Sequence, residues 1–397
     1  MADLWPASKN PSKNAAPIYT KLVVGNDFSK AREEADKIGY PKTRDDMKAL
    51  DAVFASVKPQ LAEFERASAL PECRFQRKPS IDVLFPEYGP MKTGVNLLAY
   101  RARNEAAKGD PVEAMRTLTE GARVSAHLGQ ESVLIAKLVQ ISTQAIVLRA
   151  AQEVLADHGR RADVRAEARK VLVALGPPPS IKDGLMGEWM FQREAPKALE
   201  SGKFKMDDFA KMASGAASTG SPSSVESKAG ELMFALAMKT RAGRVRQELN
   251  ATRIFLDFYQ AMPADASQVV IARKAAKDVD AVLNKGGTDT ILAQILMPVF
   301  SQANDAAAKS IVERRVFAGL LNALDTPVPP KKLPLSGRDA IDPFTGLPLR
   351  YRATPREIRI WSIGPDGNDD GGLVAGEGRA LDVTAYWPYP HAVPKKR

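Results

Sequence analysis

Residues 45–70, DDMKALDAVFASVKPQLAEFERASAL, place Met47, Leu50, Val53, Phe54, Val57, Leu61 and Phe64 at three- and four-residue steps. That spacing draws one apolar stripe along a helix. A helical period also runs through FSKAREEADKIG before it. It returns in MKTGVNLLAYRARNEAAKG, DPVEAMRTLTEGARVSAHLGQ and ESVLIAKLVQISTQAIVLRAAQEVLADHG, which fill the region 91–175. Gly109-Asp110-Pro111 reads as a helix junction: Gly ends one helix, Asp caps the next, and Pro takes its first position. AAKGDPVEAMRTL has the look of a tetratricopeptide hairpin, but no second copy follows at a fixed period, which favours a bundle of hairpin pairs.

Helical patterns resume at SIKDGLMGEWMFQREAPKALESG and at 227–262, 265–284 and 289–324, where Pro298 is expected to kink the last helix or mark its first turns. After residue 325 the period changes from helical to alternating. RYR and EIRIWSI predict two short antiparallel strands with a turn at TPR. The expected fold is therefore mainly α, a helical bundle or helical-hairpin domain with a small C-terminal antiparallel β appendage. The expected organisation is a loose arm (1–26), a helical domain (27–212), a linker or loop rich in Ser and Gly (213–228), a second helical region packing on the first (229–325) and a Pro/Gly-rich β appendage (326–397).

Composition adds little to this outline. The chain has 397 residues, a net charge of +10 and a pI near 9.5. Its Lys and Arg are scattered among Glu and Asp, and no basic run is interleaved with aromatics. Nucleic acid is therefore not expected as a partner. Cys73 is the single cysteine, which excludes an intrachain disulfide and a Cys-based metal cluster. No run reaches the roughly 18 apolar residues of a membrane span, and MADLWPASKNPSKNAAP lacks an apolar leader core. Either the protein is cytoplasmic or a leader or anchor has been removed from it.

The clearest chemistry lies in GPDGNDDGG, residues 364–372. Asp366, Asn368, Asp370 and Gly371, followed after five residues by Glu377, satisfy the D-x-[DN]-x-[DN]-G-x5-E calcium pattern. Calcium takes six to eight oxygens, and a tightly turning Gly-rich loop can direct alternate side chains inward. Segment 366–377 holds four acidic residues and no basic one, and a divalent ion would relieve their repulsion. The flanks IRIWSI and LVAGEGRA are not helical, so the setting is not an EF-hand. A solvated acidic turn is the plainer alternative.

Three small motifs then occur in order: DPFTGLPLRY (342–351), SIGPDG (362–367), and Asp382-Val383 ahead of Trp387. Together they resemble the C-terminal β-region of the major pseudopilins of type II secretion, in which the matching loop binds calcium. The resemblance covers 342–388. It implies Asp366 and Asp382 as acidic ligands and the Ser362 region as the carbonyl-supplying edge, so Glu377 and Asp382 are rival closing ligands. The loop is longer here than in that family, and the apolar pilin helix is missing. The ending, with the 91–155 helices and LMGEWM, is also similar to a group of helical bacterial envelope proteins. These likenesses imply an extracytoplasmic location and a structural Ca2+ ion. The leading expectation is a non-enzymatic structural or interaction protein of the cell envelope, and a helical scaffold that binds a protein partner through residues 91–175 is compatible with it. The alternative is a metal-dependent enzyme with a cleft between the helical and β regions.

The remaining chemistry is sparse. His127, His158 and His391 have no second histidine at ligand spacing and are expected on helix surfaces or the tail. Glu188 is expected to be solvated beside a buried Trp189, Cys73 to be a packed thiol, and WPYP (387–390) to cover the β appendage.

Overall fold

Local signals set most helix boundaries. The computed structural model describes residues 7–23, 27–78, 80, 83–194, 240–285, 290, 292–293, 300–373 and 382–388. The proposed linker 213–228, Pro298, Glu377 and His391 lie outside them. Among the described residues the helices are α1 (Ala16–Leu22), α2 (Asp27–Ile38), α3 (Arg44–Ser56), α4 (Lys58–Ser68), α5 (Tyr88–Ala107), α6 (Pro111–Gly129), α7 (Leu134–His158), α8 (Ala162–Ala174), α9 (Ile181–Gln192), α10 (Arg241–Ala261), α11 (Val269–Lys285) and α12 (Phe300–Leu324). The Gly109-Asp110-Pro111 junction folds as its residue types dictate. Gly109 takes φ +94°, and the Asp110 carboxylate accepts from the Glu113 N–H at 3.1 Å.

Two expectations about the first 70 residues need correction. The stripe through 45–70 is broken at Val57 into α3 and α4, because Pro59 has no N–H to extend the ladder. The described part of the N-terminal arm is anchored rather than loose: Ala15, Ala16, Ile18 and Tyr19 are buried, and Tyr19 meets Phe64 edge-on.

Strands β1 (Arg350–Thr354), β2 (Glu357–Ser362) and β3 (Val383–Trp387) form one antiparallel sheet in the order β1-β2-β3. The hairpin turns at Pro355-Arg356, where Thr354 Oγ1 accepts from the N–H groups of Arg356 and Glu357. Arg350 pairs with Trp361 across β1–β2, and Ile360 pairs with Ala385 across β2–β3.

Three apolar clusters share α12. The first gathers α1–α8 and takes Phe317 and Leu321. The second gathers α9, α10 and α11 and takes Ala303, Ala307 and Ile311. The third joins Val312, Val316 and Leu320 to Leu349, Ile358, Ile360, Val383 and Ala385 of the sheet region. Helix α12 is thus apolar on several faces because each meets a different neighbour.

Helix α7 is long and apolar enough to cross a membrane by length and composition, but half of its apolar window is buried inside the protein. It also buries Gln140, Thr143, Gln144 and Glu153, the last paired with Arg103. Its start meets α9 very closely, since a Cβ on Gly187 would stand 1.6 Å from the Ser132 carbonyl oxygen. Glu188 accepts from the Leu134 N–H, and its burial raises its pKa. It is therefore a capping group at the start of α7, not the solvated side chain expected. Trp189 beside it stacks on Phe255 at 4.5 Å.

Candidate cation loop and its protein clamps

The loop grows out of a turn built on Asp342. The Asp342 N–H donates to the Leu347 carbonyl and the Gly346 N–H to the Asp342 carbonyl, both at 2.8 Å. This turn aims the carboxylate inward, where the residue is fully buried. There Oδ1 accepts from the Phe344 N–H and the Ser362 hydroxyl, both at 2.9 Å, and Oδ2 accepts from the Ile363 N–H at 3.3 Å. Ser362 Oγ accepts in turn from the Gly364 N–H at 3.1 Å. The Ser362 hydroxyl is thereby committed to ordering the end of β2; the resemblance assigns the carbonyl edge here, not this hydroxyl, to the ion.

Beyond β2 the backbone turns through Gly364, Gly367, Gly371 and Gly372, all at φ between +68° and +76°, a region glycine enters without steric cost. Gly372 is also tight: a Cβ there would come within 2.8 Å of the Trp361 ring. Asp366 and Asn368 are exposed and bond to each other, with Asp366 Oδ1 accepting from the Asn368 N–H at 3.4 Å. The Asp366 carboxylate, expected to begin the calcium set, therefore closes a local turn onto the donors of Asn368.

Asp369, absent from the expected ligand set, is the acid most firmly held. Trp361 Nε1 and the Gly371 N–H donate to Oδ1 at 2.9 and 3.0 Å, and Arg350 Nε donates to Oδ2 at 2.6 Å. The cross-strand pairing of Arg350 with Trp361 brings these donors together. The indole N–H, followed by the Gly371 and Arg350 bonds, holds the Asp369 carboxyl below its usual range.

Two more guanidinium groups clamp the loop. Arg359 Nη1 donates to the Gly372 carbonyl at 2.9 Å while its guanidinium lies 4.5 Å over the Tyr386 ring. Arg273, from α11, donates to the Pro365 carbonyl at 2.9 Å and chelates Asp305. The acidic segment without a basic residue is thus met by arginines from β1, β2 and α11, so a divalent ion is not its sole source of positive charge.

One oxygen stays unsatisfied. Asp382 is 9 % exposed; its Oδ2 accepts from the Gly372 N–H at 2.8 Å, but its buried Oδ1 has no hydrogen-bond partner. Burial raises the pKa of this carboxyl, hydrogen bonds from the Gly372 and Asp370 N–H groups offset part of the rise, and the nearby charges of Asp370 and Asp369 add to it. An orphaned buried oxygen near the Asp370 carboxylate is where a cation would fit, since Asp369 is already bound by Arg350. The fit centres on Asp382 and Asp370 rather than on the side chains of Asp366 and Asn368. Among the described residues no three His, Cys, Asp or Glu side chains converge to hold a metal, so backbone carbonyls would have to complete the coordination.

The sheet is fastened to the helices around this loop. Trp387 Nε1 donates to the Leu155 carbonyl at 2.9 Å, under the Arg160 guanidinium at 4.5 Å. The Tyr386 N–H donates to Gln152 Oε1 at 3.2 Å, which covers the β3 edge.

The other sequence candidates have structural roles. His127 is buried rather than on a surface: Nδ1 meets the Tyr19 hydroxyl at 3.0 Å and Nε2 the Leu70 carbonyl at 2.8 Å. Cys73 is buried, and burial followed by the Glu131 charge pushes its thiol pKa well up, which disfavours the thiolate. Nearby, Arg77 pairs with Glu87 and Glu131 and lies over the rings of Phe75, Phe85 and Tyr88, pinning the Pro-rich connector after α4.

No protein-family model, curated protein or solved structure matches the chain.

Proposed function

We propose that this is a non-enzymatic cell-envelope scaffold or interaction protein, whose C-terminal β module is fixed to the helical body and carries a structural calcium site. The observation that carries the proposal is the buried, unpartnered Oδ1 of Asp382 beside Asp370 and Asp369. An ion there would offset a carboxylate that the fold has desolvated without a cationic partner. Extracytoplasmic calcium is plentiful, which suits the proposed location. The third apolar cluster fills the contact between α12 and the sheet, which supports a structural role over a catalytic cleft between the two regions. Partner binding belongs in this reading to the α5–α8 helices.

Thermal melting of the full chain with millimolar calcium and with chelator tests the proposal. Calcium is expected to raise the transition, and Asp382→Asn to remove that gain. Equal melting with calcium and chelator in the unaltered protein would refute it.

A further inference from the structure

Helix α10 is apolar on two sides. Gln247, Ala251, Ile254, Phe255 and Phe258 face the interior. At about 100° per residue, Val245, Leu249 and Leu256 fall within roughly 40° of one another on a separate stripe, and they are 46 %, 64 % and 42 % exposed. Arg241 borders this stripe on one side, and Arg246 and Arg253 on the other. Helix α11, which packs beside α10, exposes Val270, Ile271 and Val282. These two helices thus carry six of the eleven large apolar side chains exposed among the described residues. They also carry eight basic residues against four acidic ones.

We propose that the outward face of α10, extended by α11, is a peripheral docking surface for an anionic lipid bilayer. Aliphatic side chains bordered by arginines suit the boundary between head groups and acyl chains: the apolar groups enter, and the guanidinium groups reach the lipid phosphates. A protein partner fits less well, because interface anchors are typically aromatic and these six side chains are all aliphatic. A two-fold pairing with a second copy would set one cationic face against another.

Vesicle sedimentation of the full chain in chelator-containing buffer tests this separately from calcium binding. The probes are phosphatidylcholine vesicles with and without phosphatidylserine. Binding is expected to the anionic vesicles alone and to weaken with salt. Each unit of charge near such a surface changes partitioning about fivefold, so Arg241→Glu, a change of two units, is expected to weaken it roughly 25-fold. Leu249→Glu, at an exposed site, is expected to weaken binding while leaving the melting transition intact. Val173→Glu, 80 % exposed on α8, is expected to bind as the unaltered protein does. The proposal is overturned if anionic vesicles bring down no protein, if Arg241→Glu and Leu249→Glu bind normally, or if Val173→Glu weakens binding equally. A dimer that Leu249→Glu dissociates, without any vesicle binding, would assign the face to a second copy instead.

Discussion

Asp342 offers the sharpest test of how the loop is organised. Its carboxylate is fully buried and takes three hydrogen bonds, from Phe344 N–H, Ser362 Oγ and Ile363 N–H. Asp342→Ala strands all three donors. A buried donor left unsatisfied costs about 1–3 kcal/mol, and the Ser362 hydroxyl can rotate to limit its share, so a loss of about 3–5 kcal/mol is expected. Asp342→Asn separates the contributions. Its carbonyl oxygen can occupy the Oδ1 position and keep two bonds, while its NH2 group then faces the Ile363 N–H, donor against donor. The expected cost is about 1–2 kcal/mol. Chemical denaturation followed by Trp fluorescence reads the difference, and amide exchange locates it: Ile363 is expected to lose protection in both variants, Phe344 in the alanine variant alone. Equal destabilisation by the two variants, or protection of Ile363 retained in Asp342→Ala, would refute the role given to this carboxylate.

Further outcomes follow from other buried contacts. Gly187→Ala must move α9 from α7, because its Cβ starts 1.6 Å from the Ser132 oxygen, whereas a Cβ on Gly184 starts 3.1 Å from Leu134 Cα. Melting is expected to show a loss of about 3 kcal/mol or failure to fold for Gly187→Ala, and a smaller loss for Gly184→Ala. Burial holds the His127 pKa below its usual 6.5, so its neutral form is favoured in the folded protein. Its contribution is present above pH 6.5 and is lost as pH falls through the lower folded value. His127→Gln is expected to flatten the acid limb of a stability-against-pH curve. Glu120 has the opposite sign: burial, with the charge of Glu65, pushes its pKa up to about 7. Stability falls as pH rises from the unfolded value of 4.5 through 7, so Glu120→Gln is expected to raise the melting temperature at pH 8 but not at pH 4.

The parts of the fold visible in the sequence are those with local causes. The Gly109-Asp110-Pro111 junction needs only neighbouring atoms, and the β1–β2 hairpin needs only alternation and a turn. The same reasoning missed β3, because VTAYW forms a strand only beside β2. It also placed His127 on a surface, because its two partners, Tyr19 and Leu70, are far from it in sequence. The 45–70 stripe shows the reverse case, in which a correct period concealed a break set by Pro59. Asp342 could have been noticed: Asp-Pro followed by a Gly is a turn that directs the acid back on itself. Its burial depends on the sheet and was not visible.

The acidic loop shows how misleading a local charge count can be. In sequence, residues 366–377 contain no basic group; in space, Arg350 neutralises Asp369, while Arg273 and Arg359 hold the backbone at Pro365 and Gly372. An ion is therefore not required to order these points, and the work left for it is to meet Asp382. Because burial raises the Asp382 pKa, a proton would compete with the proposed cation for the same oxygen. The apo protein gives up stability as pH rises through that raised value, and under the proposed function a bound calcium ion would return it. The calcium-dependent gain in melting temperature should accordingly grow with pH and vanish in acid. Asp382→Asn, which imitates the protonated form, should abolish both the gain and its pH dependence. A calcium gain that is flat with pH, or one that survives in Asp382→Asn, would place the ion elsewhere on the loop.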